Sequence, residues 1–210
     1  MSLGNGNPKE GDKGSNFNYE LKVLQGLESI AVALENQPTS TNYGLYAATA
    51  NSGTITNTTI PGSLVGAGVG TLSVPANGFK VGDSFHLNMM GHITCINNAQ
   101  LAITLNSGSA ILGTTGFITL AAATNKHWDL NVDFTIRALG PAGTASIAVG
   151  GMFNYSKNAA NIFEGSNFIE INNTTFQTTA PNILSINAQW FAANAGNSVY
   201  SQVCTLNKIY

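Results

Sequence analysis

The chain has 210 residues, 43% of them hydrophobic, and a formal net charge of −2; a body of this length buries about 70% of its extended-chain surface without needing staples. Charged residues make up only 9%, against about 25% in an ordinary soluble domain, and they form no basic cluster, which argues against nucleic acid as a partner. No uninterrupted apolar run reaches the roughly 18 residues that a membrane-spanning helix needs, so membrane insertion is not expected.

The charges are also unevenly placed. Eight of the eighteen precede residue 36, and residues 36–79 carry none. Beyond the N-terminal segment the chain covers itself with Asn, Thr, Ser, Gly and Ala. Such a surface suits burial against copies of itself, and equally suits a stable extracellular or particle-bound β-protein. Cys95 and Cys204 are the only cysteines. With no apolar leader after Met1 a disulfide framework is not expected; buried free thiols are the simpler reading, and a bridge between the two strands stays open.

In chain order, residues 1–16 (MSLGNGNPKEGDKGSN) lack apolar periodicity and predict a flexible arm. From 17 to 35 the period changes to that of an amphipathic helix, with Val23, Leu27, Ile30 and Leu34 along one stripe. Gly26 weakens it by about 1 kcal/mol relative to Ala, so the helix needs a surface to pack on. Either it docks on its own body, or copies meet along that stripe around a symmetry axis; these four residues are therefore the candidate oligomerisation contacts. Pro38 stops the helix.

After Pro38 the sequence reads as strands to its end, near 43–49, 54–60, 63–74, 84–96, 99–105, 110–120, 127–138, 144–155, 162–171, 182–191 and 198–209. They are separated by turn chemistry such as PANG, NNAQ, NSGS, GPAG and NAGN. So many short strands with no second helix predict an all-β sandwich, a jelly roll over 42–210 that folds away its own edges. Residues 156–166 and 192–198 are expected as exposed loops.

The stretch HWDLNVDFTIR (127–137) tests for chemistry. Its period of two sends Trp128, Leu130, Val132, Phe134 and Ile136 to a core and His127, Asp129, Asn131, Asp133 and Thr135 to the other face. Asp129 and Asp133 then lie about 13 Å apart, too far to act as a carboxylate pair. No nucleophile elbow accompanies His127. His86 and His92 lie about 20 Å apart on one strand, so they cannot chelate one metal within a subunit, although histidines from copies could converge on a threefold axis. The glycines of GAGVGTLSV lack the lysine of a phosphate loop, and the Asn-x-Ser/Thr sites at Asn57, Asn154, Asn172 and Asn173 follow from Asn-rich composition. Trp128, Trp190, Phe153, Tyr155 and Tyr200 would stack on sugars if exposed; strand phase places the tryptophans in packing instead.

The segment LSVPANGFKVGDSFHLNMMG (72–91) resembles a strand–turn–strand unit of jelly-roll virion structural proteins from tailed phages and large DNA viruses of amoebae. Residues 6–35 and 187–210 are similar to the ends of such proteins; together these stretches span about a third of the chain. The resemblance implies a homotrimeric jelly roll, of the kind compared with tumour-necrosis-factor and C1q heads, made in the host-cell cytoplasm and carried in the virion. It implies no catalytic residue, no cofactor and no metal. Expected partners are sister subunits, other virion proteins and a host surface glycan or protein. A carbohydrate-binding module, or a virion-delivered factor acting on host-cell components, are the alternatives.

Overall fold

A computed structural model describes residues 22–25, 43–159, 162–171 and 174–210. The chain divides into two units, Met1–Ser40 and Thr41–Tyr210. In the first, residues 22–25 are helical, inside the expected 17–35 helix. The arm 1–16 and Leu27, Ile30 and Leu34 lie outside the described residues.

The second unit is built from strands that pair antiparallel throughout. They are β1 (Tyr43–Ala48), β2 (Ile55–Thr56), β3 (Gly62–Ser63), β4 (Gly68–Gly70), β5 (Ser73–Val74), β6 (Ser84–Cys95) and β7 (Ala99–Ser107). β8 (Ala110–Thr114), β9 (Ile118–Leu120), β10 (Ala123–Ala138), β11 (Ser146–Ser156), β12 (Phe163–Glu170), β13 (Asn182–Trp190) and β14 (Ser198–Lys208) follow. The pairings are nested: β1 with β14, β3 with β13, β6 with β10, and β7 with β8. Strands outermost in sequence pair with each other, and so on inward, as in a long hairpin rolled on itself. That is a jelly roll, as the strand rhythm predicts.

One sheet runs β4-β1-β14-β6-β10-β11 and the other β3-β13-β7-β8. β12 joins them at a corner, pairing with β11 over Phe163–Phe168 and with β8 at Ile169 and Glu170. Both sheets send alternate side chains into one core. Trp128, Leu130, Val132, Phe134 and Ile136 are all buried there, as are Leu184, Ile186, Ala188 and Trp190 from the facing sheet. At the end that holds the 75–83 turn, Phe85 stacks on Phe134 at 4.9 Å, and Phe79 meets Phe85 edge-on. Asn77 takes the left-handed backbone (φ 59°) that an Asn-Gly turn favours.

Two expected strands are interrupted. Residues 63–74 split into the ends of β3, β4 and β5, with Leu64 dropped fully into the core between them. Residues 110–120 break between β8 and β9, where Thr115 Oγ1 accepts the Ile103 amide at 2.9 Å and Gly116 turns to φ 62°. Hydroxyl bonds there replace the ladder, which a propensity reading does not register. The exposed loop expected at 156–166 is shorter than predicted, because β12 already begins at Phe163.

β6 and β14 approach closely at Gly91. A Cβ on Gly91 would lie 2.0 Å from the Tyr200 carbonyl and 2.9 Å from the Trp128 indole nitrogen. That indole N–H bonds the carbonyls of His92 (3.2 Å) and Tyr200 (3.1 Å), so the bare backbone is what admits the ring beneath both strands. Gly91→Ala is expected to destabilise the body by about 1–3 kcal/mol through overpacking, read as a lower midpoint in chemical denaturation.

Candidate functional site

The outer face of the first sheet carries the polar half of the 127–137 strip, and register decides what those groups can do. Opposite β10 on β6, His86 faces Asp133, Asn88 faces Asn131, Met90 faces Asp129 and His92 faces His127. His86 Nδ1 and Asp133 Oδ1 are 2.8 Å apart. Asn88 Nδ2 donates to Asn131 Oδ1 at 2.7 Å; Asn131 and Asn154 both donate to Asp129 Oδ2, at 3.3 and 3.1 Å. Each carboxylate is thus held by its own neighbours, and the two are not brought together. His127 stands exposed beyond them. The array is a cross-strand polar ladder, of the kind that stabilises sheets pair by pair.

His92 does not meet His86 but sits between His127 on β10 and Tyr200 on β14. Its ring stacks on Tyr200 at 5.9 Å and 18°. Among the described residues its Nδ1 is buried without a hydrogen-bond partner, and no three His, Cys, Asp or Glu side chains converge in a metal-binding group. Of the aromatics singled out in the sequence, Trp128, Trp190, Phe153 and Tyr155 are buried, and Tyr200 is half-covered by its stack. Of the four helix-stripe residues, Val23 is described and exposed.

A different constellation, not flagged by sequence, lies where β9 and β12 pass each other. Tyr155, on β11, has a buried ring, and its hydroxyl accepts the Ala121 N–H at 2.7 Å and donates to Glu164 Oε2 at 2.5 Å. Lys157 pairs with the other carboxylate oxygen. Burial first, and then the bond to Glu164, raise the Tyr155 pKa, so the hydroxyl keeps its proton. The Lys157 ammonium, followed by the Tyr155 hydroxyl, holds Glu164 below the usual carboxylate range. Beside this triad is a cavity of about 410 Å³ lined by Ile118, Thr119, Leu120, Tyr155, Glu164, Gly165 and Ser166. The only sequence signal was weak: Tyr155, Lys157 and Glu164 lie at spacings that bring them together only once β11 and β12 form a hairpin.

Cys95 and Cys204 are both free and buried. Burial pushes the Cys204 thiol up to about 11 and raises Cys95 as well, so both remain protonated, poor nucleophiles.

No protein-family model and no curated protein matches the chain. A solved structure of the CBM2 module of an evolved Dit from Lactobacillus casei BL23 phage J-1 is similar over 66% of this chain and 68% of that one. Identity is 12% and the TM-score 0.30, too loose a likeness to transfer anything from that module to this chain.

Tyr155→Phe takes the acceptor from the part-buried Ala121 amide and a donor from Glu164, so it is expected to cost about 1 kcal/mol in chemical denaturation. Because Glu164 titrates lower in the folded than in the unfolded chain, its contribution is present above the ordinary carboxylate pKa and lost as pH falls through its own. Glu164→Gln should flatten that acid-side decline in stability.

Proposed function

We propose that the protein is a non-enzymatic structural component of a virion, a jelly roll that assembles into a homotrimer through the outer face of its first sheet. The observation that carries this reading is the chemistry of that face. It is broad and regular, and its two carboxylates are already bonded by their own sheet. Around them stand Asn88, Asn131, Asn154 and Thr205 with the exposed thioether of Met152 and the exposed Val203. A second subunit covering this face would bury carboxylates that keep hydrogen-bond partners, which lowers the desolvation cost that usually keeps charges out of interfaces. The resemblance of residues 72–91 to virion jelly rolls supports the copy number of three and the particle as the location. Sister subunits and other virion proteins are then the partners. The separation of Asp129 from Asp133, each with its own bonds, supports a mechanical rather than a catalytic role for the strip.

The helix stripe competes with the sheet face as the assembly element, and the two are separable in the full chain. Light scattering of the wild-type protein should give three times the 21.9 kDa subunit mass. Met152→Glu, at a side chain 49% exposed in the single subunit, should reduce it to one subunit without loss of β-structure by circular dichroism. Leu27→Asp should leave it at three. A wild-type monomer, or a monomer produced by Leu27→Asp and not by Met152→Glu, overturns the assignment to the sheet face.

A further inference from the structure

The sheet is split open between β9 and β12. β9 pairs only with β7, and β12 pairs with β8 only at its last two residues. Parity fixes which backbone groups face the gap. The Leu120 carbonyl accepts the Asn98 amide on the β7 side, so residue 119 points its N–H and C=O the other way. Lys157 N–H bonds the Ile162 carbonyl on the β11 side, so 163, 165 and 167 turn theirs away from β11. Two unpaired edges therefore face each other across the 410 Å³ cavity. The Tyr155 hydroxyl spans it, bonded to Ala121 on one wall and Glu164 on the other.

We propose that this slot is a binding site for a neutral carbohydrate, one or two pyranose rings of a glycan chain. Its volume falls within the range of small-molecule sites, roughly 300–1,000 Å³. The lining supplies what a polyhydroxylated ring needs: the hydroxyls of Thr119 and Ser166, the Glu164 carboxylate, and main-chain donors and acceptors at Thr119 and Gly165. Gly165 turns its backbone to the gap, while a Cβ there would meet Asn154 Oδ1 at 2.4 Å on the β11 side. Phe117, 45% exposed, directly precedes the lining residue Ile118, and Phe163, 64% exposed, directly precedes Glu164. Both rings lie outside the lining itself, Phe117 packed edge-on against Phe191 and Phe163 two residues from Gly165 on the same strand, and offer apolar surface at the rim for a sugar face.

Charge and geometry select among ligands. Glu164 is the one acidic residue of the lining and is matched by Lys157, so the slot holds no net charge to recruit an anion or a cation. A single carboxylate also lacks the second partner that glycoside hydrolysis uses, so the slot binds without cleaving. An extended peptide is the competing occupant of two open edges. Strand addition draws its affinity from a run of main-chain bonds, and on the β9 wall residue 119 alone offers them. A sugar needs no such run. The slot lies within one subunit and does not rest on the trimer reading.

The test is a printed array of neutral and acidic oligosaccharides probed with the full chain, followed by titration calorimetry with the strongest neutral glycan. Ser166→Trp, which fills the slot, should abolish binding, and Phe163→Ala should weaken it by about tenfold, the loss of one good contact. Tyr210→Ala, an exposed aromatic beside Gly82 at the other end of the roll, should leave it unchanged, and unaltered circular dichroism spectra show that the variants fold. Absence of any neutral glycan binding overturns the proposal, as does binding that Ser166→Trp leaves intact or binding confined to acidic glycans. So does a random extended hexapeptide pool that shifts the amide resonances of Thr119 and Gly165 where the glycans do not.

Discussion

The structure depends on β6 being held between β10 and β14 with every second side chain buried. Phe85, Leu87, Met89, Ile93 and Cys95 face the core, and each is locked by partners about 30 to 120 residues away in the chain. Nothing local fixes that register. A slip by one residue would send His86, Asn88 and His92 inward and expose the whole apolar set, and this penalty enforces the pairing. The nested order follows, because once β6 lies between β10 and β14, β7 and β8 must close over the opposite side. Such long-range pairing makes for high contact order and slow folding.

How much of this the sequence disclosed depends on whether the signal was periodic or positional. The alternation in 127–137 named the buried side chains without error, because burial on one face is written in single-strand rhythm. Ile183, out of phase, is exposed. Register left no such trace. Spacing alone separated His92 from His86 but named no neighbour for it; its real neighbours, His127 and Tyr200, come from strands that only the fold makes adjacent. Short edge pieces were likewise invisible, since β3, β4 and β5 are too brief to carry a period and exist because longer strands offer them a place.

Shortness has its own use. The roll ends at β3 on one side and β4 on the other, strands of two and three residues, which leaves little unpaired backbone for another chain to copy. The polar cover of Asn, Thr and Ser on the outer faces is then free of the edge-protecting duty that lysines often perform. It can be sparsely charged, with the carboxylates of Asp129 and Asp133 already bonded within the sheet, as a surface must be if identical copies are to lie on it without burying unpaired charge.

Against that background two ion pairs of the body mark joints that main-chain pairing does not close. Asp83, buried in the turn before β6, accepts the Lys80 amide and pairs with Lys208 at the end of β14, tying the start of the central strand to the tail of the chain. Lys157 and Glu164 do the corresponding work at the opposite end, across the β11–β12 loop, with Tyr155 carrying the bond on to Ala121. In the first case the joint is shut, with Asp83 nearly inaccessible. In the second the same kind of clasp holds two strand edges apart around a cavity. Here the Tyr155 hydroxyl, reaching from the core, bonds Ala121 on one side and Glu164 on the other. The two walls of the gap are thus tied to each other through a core side chain where no main-chain ladder joins them.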